Sequence, residues 1–418
     1  MRELLLGLAI ASPASAQVVD SSLAITNVSV VDVVAGVARP GSTVVVRGNR
    51  IVAVGPTAAV RVPVGARTID GSRRFLIPGL WDMHVHLGNA GEESLAEFVK
   101  YGVTGVRDMG TERFERLREW RVEILSGARV GPRIVAAGPI VDGPTPNWPL
   151  RVTVPDAASA RRAVDSLAAV GVDFIKVHQQ LTRDAYFAVA AEARRLNIAF
   201  AGHVPVVVKG YEAAEAGQRS VEHLTGLPNS RKDSTWAATL RAYKKHGTWM
   251  DPTLIIYWAL AHHRDSAVIN DPRAATISES LKKFWVEQKS SWSGDLSVEG
   301  LNGLYSAMRG HVAGLHQAGI PIMTGTDLGF VYVYPGSSVH EEMEHLGEAG
   351  MRPIDALRAA TINPARYLGR DRELGTIEVN KLADMVLLDA NPITAISNTK
   401  RIRAVVANGR AVDLQRLP

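Results

Sequence analysis

Two imidazoles two residues apart, His84-Val85-His86, close an apolar run that begins at Gly79. Strand geometry sends both rings to the same side, where they can grip one ion together. Alone, such a pair means little, because paired core histidines are common. Lys176 ends a second apolar run, Asp173-Phe174-Ile175-Lys176-Val177, and an inward-facing lysine is costly to desolvate. Two readings account for it. It is either an ion-pair partner inside a barrel mouth, or it is carbamylated by CO2, which turns a cation into an anionic bridge between two metal ions. His203 and His223 end two further runs, and Asp327 ends another after Thr324-Gly325-Thr326. The chain has no cysteine, so any metal must be held by His, Asp, Glu or a modified Lys.

These side chains need a frame. Strand-like runs lie at Phe75–Ile77 leading to His84, Gly105–Asp108, Arg133–Ala137, Phe174–Val177, Ile198–His203, Ser220–His223, Thr248–Asp251 and Ile320–Asp327. Helical patterns such as 156–170, 182–196 and 304–318 separate most of them. Eight alternating units predict an α/β fold, a (β/α)8 TIM-type barrel. Its C-terminal face would gather the six metal-competent residues, with Asp327 on strand eight beside the His84/His86 pair on strand one. Short β-branched runs at 17–77 and 371–418 predict a small β-sandwich built from both chain ends, flanking a barrel over 78–370. The long stretch between strands seven and eight, centred on 260–298, is a candidate lid or substrate-recognition wall.

The sequence closely resembles the amidohydrolase superfamily in its two-metal, carboxylated-lysine form. The segments carrying the resemblance are Gly79–His86, Ile175–Val177, Gly202-His203-Val204-Pro205, Ser220–Leu224 and Gly325-Thr326-Asp327. Tyr101–Asp108, Ala359–Ala365 and Asn380–Asp384 support it and point to the imidazolonepropionase-like, prolidase-like branch of exported dipeptidases and ochratoxin-degrading enzymes. The resemblance implies that His84, His86 and Asp327 hold one divalent metal and that His203 and His223 hold a second. A CO2-derived carbamate on Lys176 and a hydroxide would bridge the two. Zinc suits imidazole and carboxylate ligands best. Asp327 would be the catalytic residue, moving a proton from the attacking hydroxide to the leaving nitrogen, since an amide nitrogen cannot depart as an anion.

Around these ligands, His178, Tyr257, Trp258, Trp148 and His340 are candidate substrate-binding or supporting residues. Arg107 is expected to pair with Asp108. A small-molecule amide follows as substrate: a dipeptide, an N-acyl amino acid or an ochratoxin-like amide. An esterase or lactonase is the rival within the fold, and an inactive secreted binding barrel is the rival outside it.

The 418 residues, 46% hydrophobic and 21% charged, describe a folded globular chain. Lys and Arg exceed Asp and Glu only by 47 to 42 and are scattered, which argues against a nucleic-acid partner. Residues 1–16 read as a signal peptide, with a short charged start, an apolar run and Ala14-Ser15-Ala16 before Gln17, implying a periplasmic or secreted protein. No later run of 18 apolar residues predicts a membrane span. Association into a homo-oligomer is left open.

Overall fold

The computed structural model describes residues 22–144, 151–291 and 297–417. The chain opens with β1 (Ser22–Asp32), β2 (Val37–Arg47), β3 (Arg50–Pro56), β4 (Arg67–Asp70) and β5 (Phe75–Pro78). The β2–β3 hairpin turns through Gly48-Asn49, with Gly48 at φ +57°. Glycine has no Cβ to oppose that geometry.

The barrel follows with β6 (Leu80–Val85), β7 (Val103–Asp108), β8 (Arg133–Ala136), β9 (Ile140–Asp142) and β10 (Arg151–Thr153). It continues with β11 (Ile175–Val177), β12 (Phe200–Gly202), β13 (Ser220–Glu222) and β14 (Trp249–Asp251). Parallel pairing runs β6-β7-β8 and β9-β11-β12-β13-β14. Asp173 N donates to Ala136 O of β8, joining the two arcs. Strand eight is bridged rather than laddered. Met323 N donates to Met250 O, Met83 N to Thr324 O, and Asp327 N to His84 O, so residues 321–328 close the ring between β14 and β6.

Finally β15 (Met385–Leu388), β16 (Ile402–Ala407) and β17 (Arg410–Ala411) return to the first sheet. The order β17-β16-β15-β5-β1-β2-β3, with β4 on β1, joins both chain ends. This accessory β-sandwich has a core of its own, with Leu23, Ile25, Val44, Val46, Leu76, Met385, Leu387 and Val406 buried together. Neither end alone could cover that apolar face.

Two expectations need correction. Phe75–Ile77 does not lead the barrel: β5 pairs with β1 and β15, and strand one is β6. The pairing changes at Gly79, whose N donates to Asp384 O on the sandwich side while Leu80 N donates to Gly102 O on the barrel side, and a Cβ at Gly79 would lie 2.0 Å from Thr104 Oγ1. The third barrel strand also extends past Ala137 into β9, after an interruption at Gly138 (φ +66°). No helix among the described residues is long and apolar enough to cross a membrane.

Candidate metal centre

Asp82, on β6, is fully buried and ties strand eight to strand one. It accepts from Thr326 N (2.9 Å), Thr326 Oγ1 (2.6 Å) and His84 N (3.2 Å), and burial pushes its carboxyl up to about 7. Held this way, Asp327 adopts φ +60° and leaves the strand alternation. Its Oδ1 lies 3.4 Å from His84 Nε2 and 3.3 Å from His86 Nε2, and its Oδ2 lies 3.9 Å from His223 Nε2. Burial alone would raise the Asp327 carboxyl, but His223, His86 and Lys176 outweigh it and hold the group down to about 2.

The ring protons follow from the partners on the far side of each imidazole. His86 Nδ1 faces Gly110 O at 3.0 Å, and a carbonyl only accepts. His84 Nδ1 faces Glu222 Oε2 at 3.1 Å. His223 Nδ1 lies 2.6 Å from Thr253 Oγ1, whose own proton goes to Pro252 O. Each Nδ1 is therefore the donor, and each Nε2 presents a lone pair toward Asp327. Burial pushes His84 and His203 well below the ordinary histidine range, and His223 down to about 4. These three rings are neutral, as a metal ion needs, whereas at His86 burial is outweighed by Asp327, which holds that ring above its ordinary value.

Lone pairs and a carboxylate converging without a donor repel one another. A proton shared between His86 and Asp327 would relieve one contact. It would leave His84 Nε2 and His203 Nδ1, which are buried with no hydrogen-bond partner in the protein. A divalent cation among His84, His223 and Asp327 would satisfy the converging lone pairs, so this donor set fits a metal, and His203 lines the same cavity. His84, His223 and Asp327 offer ligand atoms within 4.8 Å of one another.

Lys176, in the middle of β11, is 1% exposed and lines the same cavity. Gly202 makes room for it, because a Cβ there would meet Lys176 Cδ at 3.0 Å and Val177 O at 2.1 Å. Burial pushes the Lys176 amine down to about 8.

Beneath His84 lies a second acidic group, Glu222 and Asp251, which with His84 forms another candidate metal cluster. Here a cation is already present. Arg107 Nη2 donates to Glu222 Oε2 (2.9 Å) and lies 3.2 Å from Asp251 Oδ2, while Arg107 Nε donates to Met83 O. The expected Arg107–Asp108 pair does not form. Neighbours on a strand face opposite sides, and Asp108 instead accepts from Leu87 N and Gly110 N. The sequence reading did not single out Glu222, Asp251 and Asp82, although Asp251 ends one of its strand-like runs and Glu222 and Asp82 lie one and two residues from His223 and His84.

The cavity over these residues measures about 520 Å³, and His84, His86, Lys176, His203, His223 and Asp327 all line it. So do Asp142, Arg151 and His178, with His178 Nδ1 and Arg151 Nη1 both on Asp142 Oδ2 at 3.0 and 3.1 Å. Phe284 and Gln288 reach it from the helix Glu279–Ser291, so the long insertion forms part of its wall.

The other candidates fall elsewhere. Tyr257 donates to His223 O (2.7 Å) and lines a neighbouring cavity. Trp258 stacks on His262 and does not line the metal cavity. His340 is buried between Thr399 Oγ1 and Tyr101 O, remote from the ligands, because its helix turns that face toward the C-terminal segment. Trp148 lies outside the described residues.

A parallel barrel with histidines, a lysine and an aspartate at its strand ends, beside a two-ended β-sandwich, defines a metallohydrolase-type barrel. The chain belongs to the Amidohydrolase family, whose model matches residues 75–412. It is 21% identical to adenine deaminase 3 of Rhizobium meliloti over 92% of this chain and 58% of that one. With imidazolonepropionase of Symbiobacterium thermophilum it shares 26% identity over 84% of each chain. The fold matches that of a Xaa-Pro dipeptidase at TM-score 0.74 and 22% identity, over 94% of this chain and all of that one. The chain spans little more than half the length of the adenine deaminases it matches.

Proposed function

We propose that this chain is a binuclear metal-dependent amidohydrolase that cleaves an amide bond in a small substrate bearing a carboxylate. The observation that carries the reading is the convergence of three imidazole lone pairs and the Asp327 carboxylate, with no protein donor between them. His84, His86 and Asp327 would hold one ion, and His203 and His223 a second. Lys176 would bridge them as its carbamate. The carbamate needs a neutral amine to attack CO2, and an amine pushed down to about 8 by burial is partly neutral at physiological pH. Zinc fits the nitrogen and oxygen donors best.

When bound, such ions polarise a carbonyl and make water acidic enough to attack near neutral pH. The chain's own residues supply the rest. Asp327, ionised and within reach of the cavity, accepts a proton from the attacking water and returns it to the leaving nitrogen. Thr253, Glu222 and Gly110 fix the three ring tautomers, so that Nε2 is the atom each histidine presents. Arg151 and His178, both on Asp142, form the end of the cavity suited to a substrate carboxylate.

The apolar run after Arg2-Glu3, followed by Ala14-Ser15-Ala16, supports export with a mature terminus near Gln17. Rates on matched amide and ester pairs test the reaction. Amide hydrolysis that is lost on chelation and restored by zinc supports the reading, and turnover of esters alone would replace it with an esterase.

A further inference from the structure

Arg107, Glu222, Asp251 and His84 are all fully buried, in the barrel interior beneath the metal cavity. A guanidinium carries five N–H groups, and each of those on Arg107 is used. Its Nε donates to Met83 O (2.6 Å), Nη1 to Ser220 Oγ (2.9 Å) and Tyr367 Oη (2.8 Å), and Nη2 to Glu222 Oε2 (2.9 Å) and Asp251 Oδ2 (3.2 Å). One side chain of β7 thus ties β6, β13 and β14 to the helix Ile362–Tyr367, and one of its bonds falls on the residue before His84.

Glu222 is fixed as an acceptor at both oxygens. Its Oε2 takes Arg107 and His84 Nδ1 (3.1 Å), and its Oε1 takes Ser220 Oγ (2.5 Å). Asp251 depends on the same guanidinium, because its Oδ1 has no hydrogen-bond partner in the protein. Gly325 leaves that carboxylate room, since a Cβ there would lie 2.4 Å from either oxygen. Two carboxylates and an imidazole, with ligand atoms within 4.8 Å of one another, would otherwise offer a divalent ion a ready site. Buried carboxylates need a positive partner, and either a metal ion or a guanidinium supplies it. The two differ in what they do to His84. An ion in the cluster would take the Nδ1 lone pair, whereas Arg107 leaves Nδ1 protonated on Glu222 and turns Nε2 to the cavity.

Resting on the metal-centre reading above, we propose that Arg107 is a positioning residue of that centre: it fills the His84, Glu222 and Asp251 cluster in place of a divalent ion and, through Glu222, fixes His84 as an Nε2 ligand. Arg107 thereby decides on which side of the His84 ring metal binds. It touches neither substrate nor the reacting atoms, and its effect reaches the chemistry only through His84.

The test uses the full chain, purified without chelator and with bicarbonate present, and reads zinc affinity by competition with a chelator. Folding is followed by circular dichroism, and the His84 tautomer by the nitrogen resonances of metal-free, histidine-labelled protein. Arg107→Lys keeps the charge but offers three donors in place of five. It should fold, hold zinc about 10- to 100-fold more weakly and show a mixture of His84 tautomers. Arg107→Met removes the cation, and it should gain a zinc ion that Arg107→Met/Asp251→Asn lacks. Where Arg107→Met does not fold, Arg107→Lys decides. Wild-type affinity and a single Nδ1–H tautomer in the folded variants would make Arg107 a purely structural residue, and overturn this proposal alone. Wild-type protein that binds no zinc overturns the metal-centre reading as well.

Discussion

Lys176 is where a two-ion centre is most exposed to test. A protonated lysine amid neutral imidazoles and two cations would add positive charge at close range, whereas a carbamate supplies two anionic oxygens. Lys176→Ala should therefore lose metal and nearly all activity while the barrel stays folded, and a short carboxylic acid in the medium should restore part of both. Metal analysis with circular dichroism checks this, and a variant that keeps two ions and full turnover would show a mere wall lysine. Thr253 makes a subtler case. It sits at φ +48°, a left-handed conformation costly for a β-branched residue, and its hydroxyl fixes the His223 tautomer. Thr253→Val removes that acceptor, so metal affinity should fall about 10- to 100-fold, as measured by competition with a chelator. The candidate residues could be singled out because most of them end an apolar run, a local pattern. Glu222 was not. Alternation puts it on the face opposite His223, and only the positive φ of His223 (+55°) lets both serve the same site. Backbone strain of that kind has only a weak sequence signature outside glycine, because Asn, Asp and His adopt it more readily than other residues but rarely do so.

Among the elements, the helix Leu254–Ala261 positions both Thr253 and Tyr257, and its first turn is capped from across the molecule. Glu342 accepts from Leu254 N (2.9 Å) and Ile255 N (2.7 Å). Burial pushes the Glu342 carboxyl up to about 8 from its ordinary 4.5. In the unfolded chain it ionises first, so its contribution is fully present below pH 4.5 and is lost as pH rises toward 8. Glu342→Gln should consequently be less stable than wild type at pH 5, with the gap in melting temperature narrowing by pH 8. A gap that widens with pH would mean the carboxylate is ionised in the folded protein. The neighbouring insertion was legible as an excess of length, yet its packing was not. Trp285 is buried against Tyr332 and Tyr334 while Phe284, one residue earlier, faces the cavity. A helical period alone cannot say which face meets the ligands.

For the whole molecule, the eight-unit barrel and the two-ended sandwich could both be read from the order of the strands, because helical patterns separate the first set and not the second. How the two bodies meet could not, since it rests on pairs far apart in sequence. Arg133 at the start of β8 donates to Asp384 (2.7 Å) and Asn408 (2.8 Å), and Asp384 in turn accepts from Asn408 N. This pair is largely buried, so Arg133→Ala should cost about 3 kcal/mol in chemical denaturation by leaving Asp384 uncompensated. Metal content should not change, because the ligands lie at the opposite ends of the strands. The central claim, that the six residues hold a two-ion centre, is tested most directly by metal analysis of protein purified without chelator and with bicarbonate present. Close to two divalent ions per chain, falling in parallel with activity when a chelator is added, is the predicted result. A folded, active protein that carries no metal would contradict it.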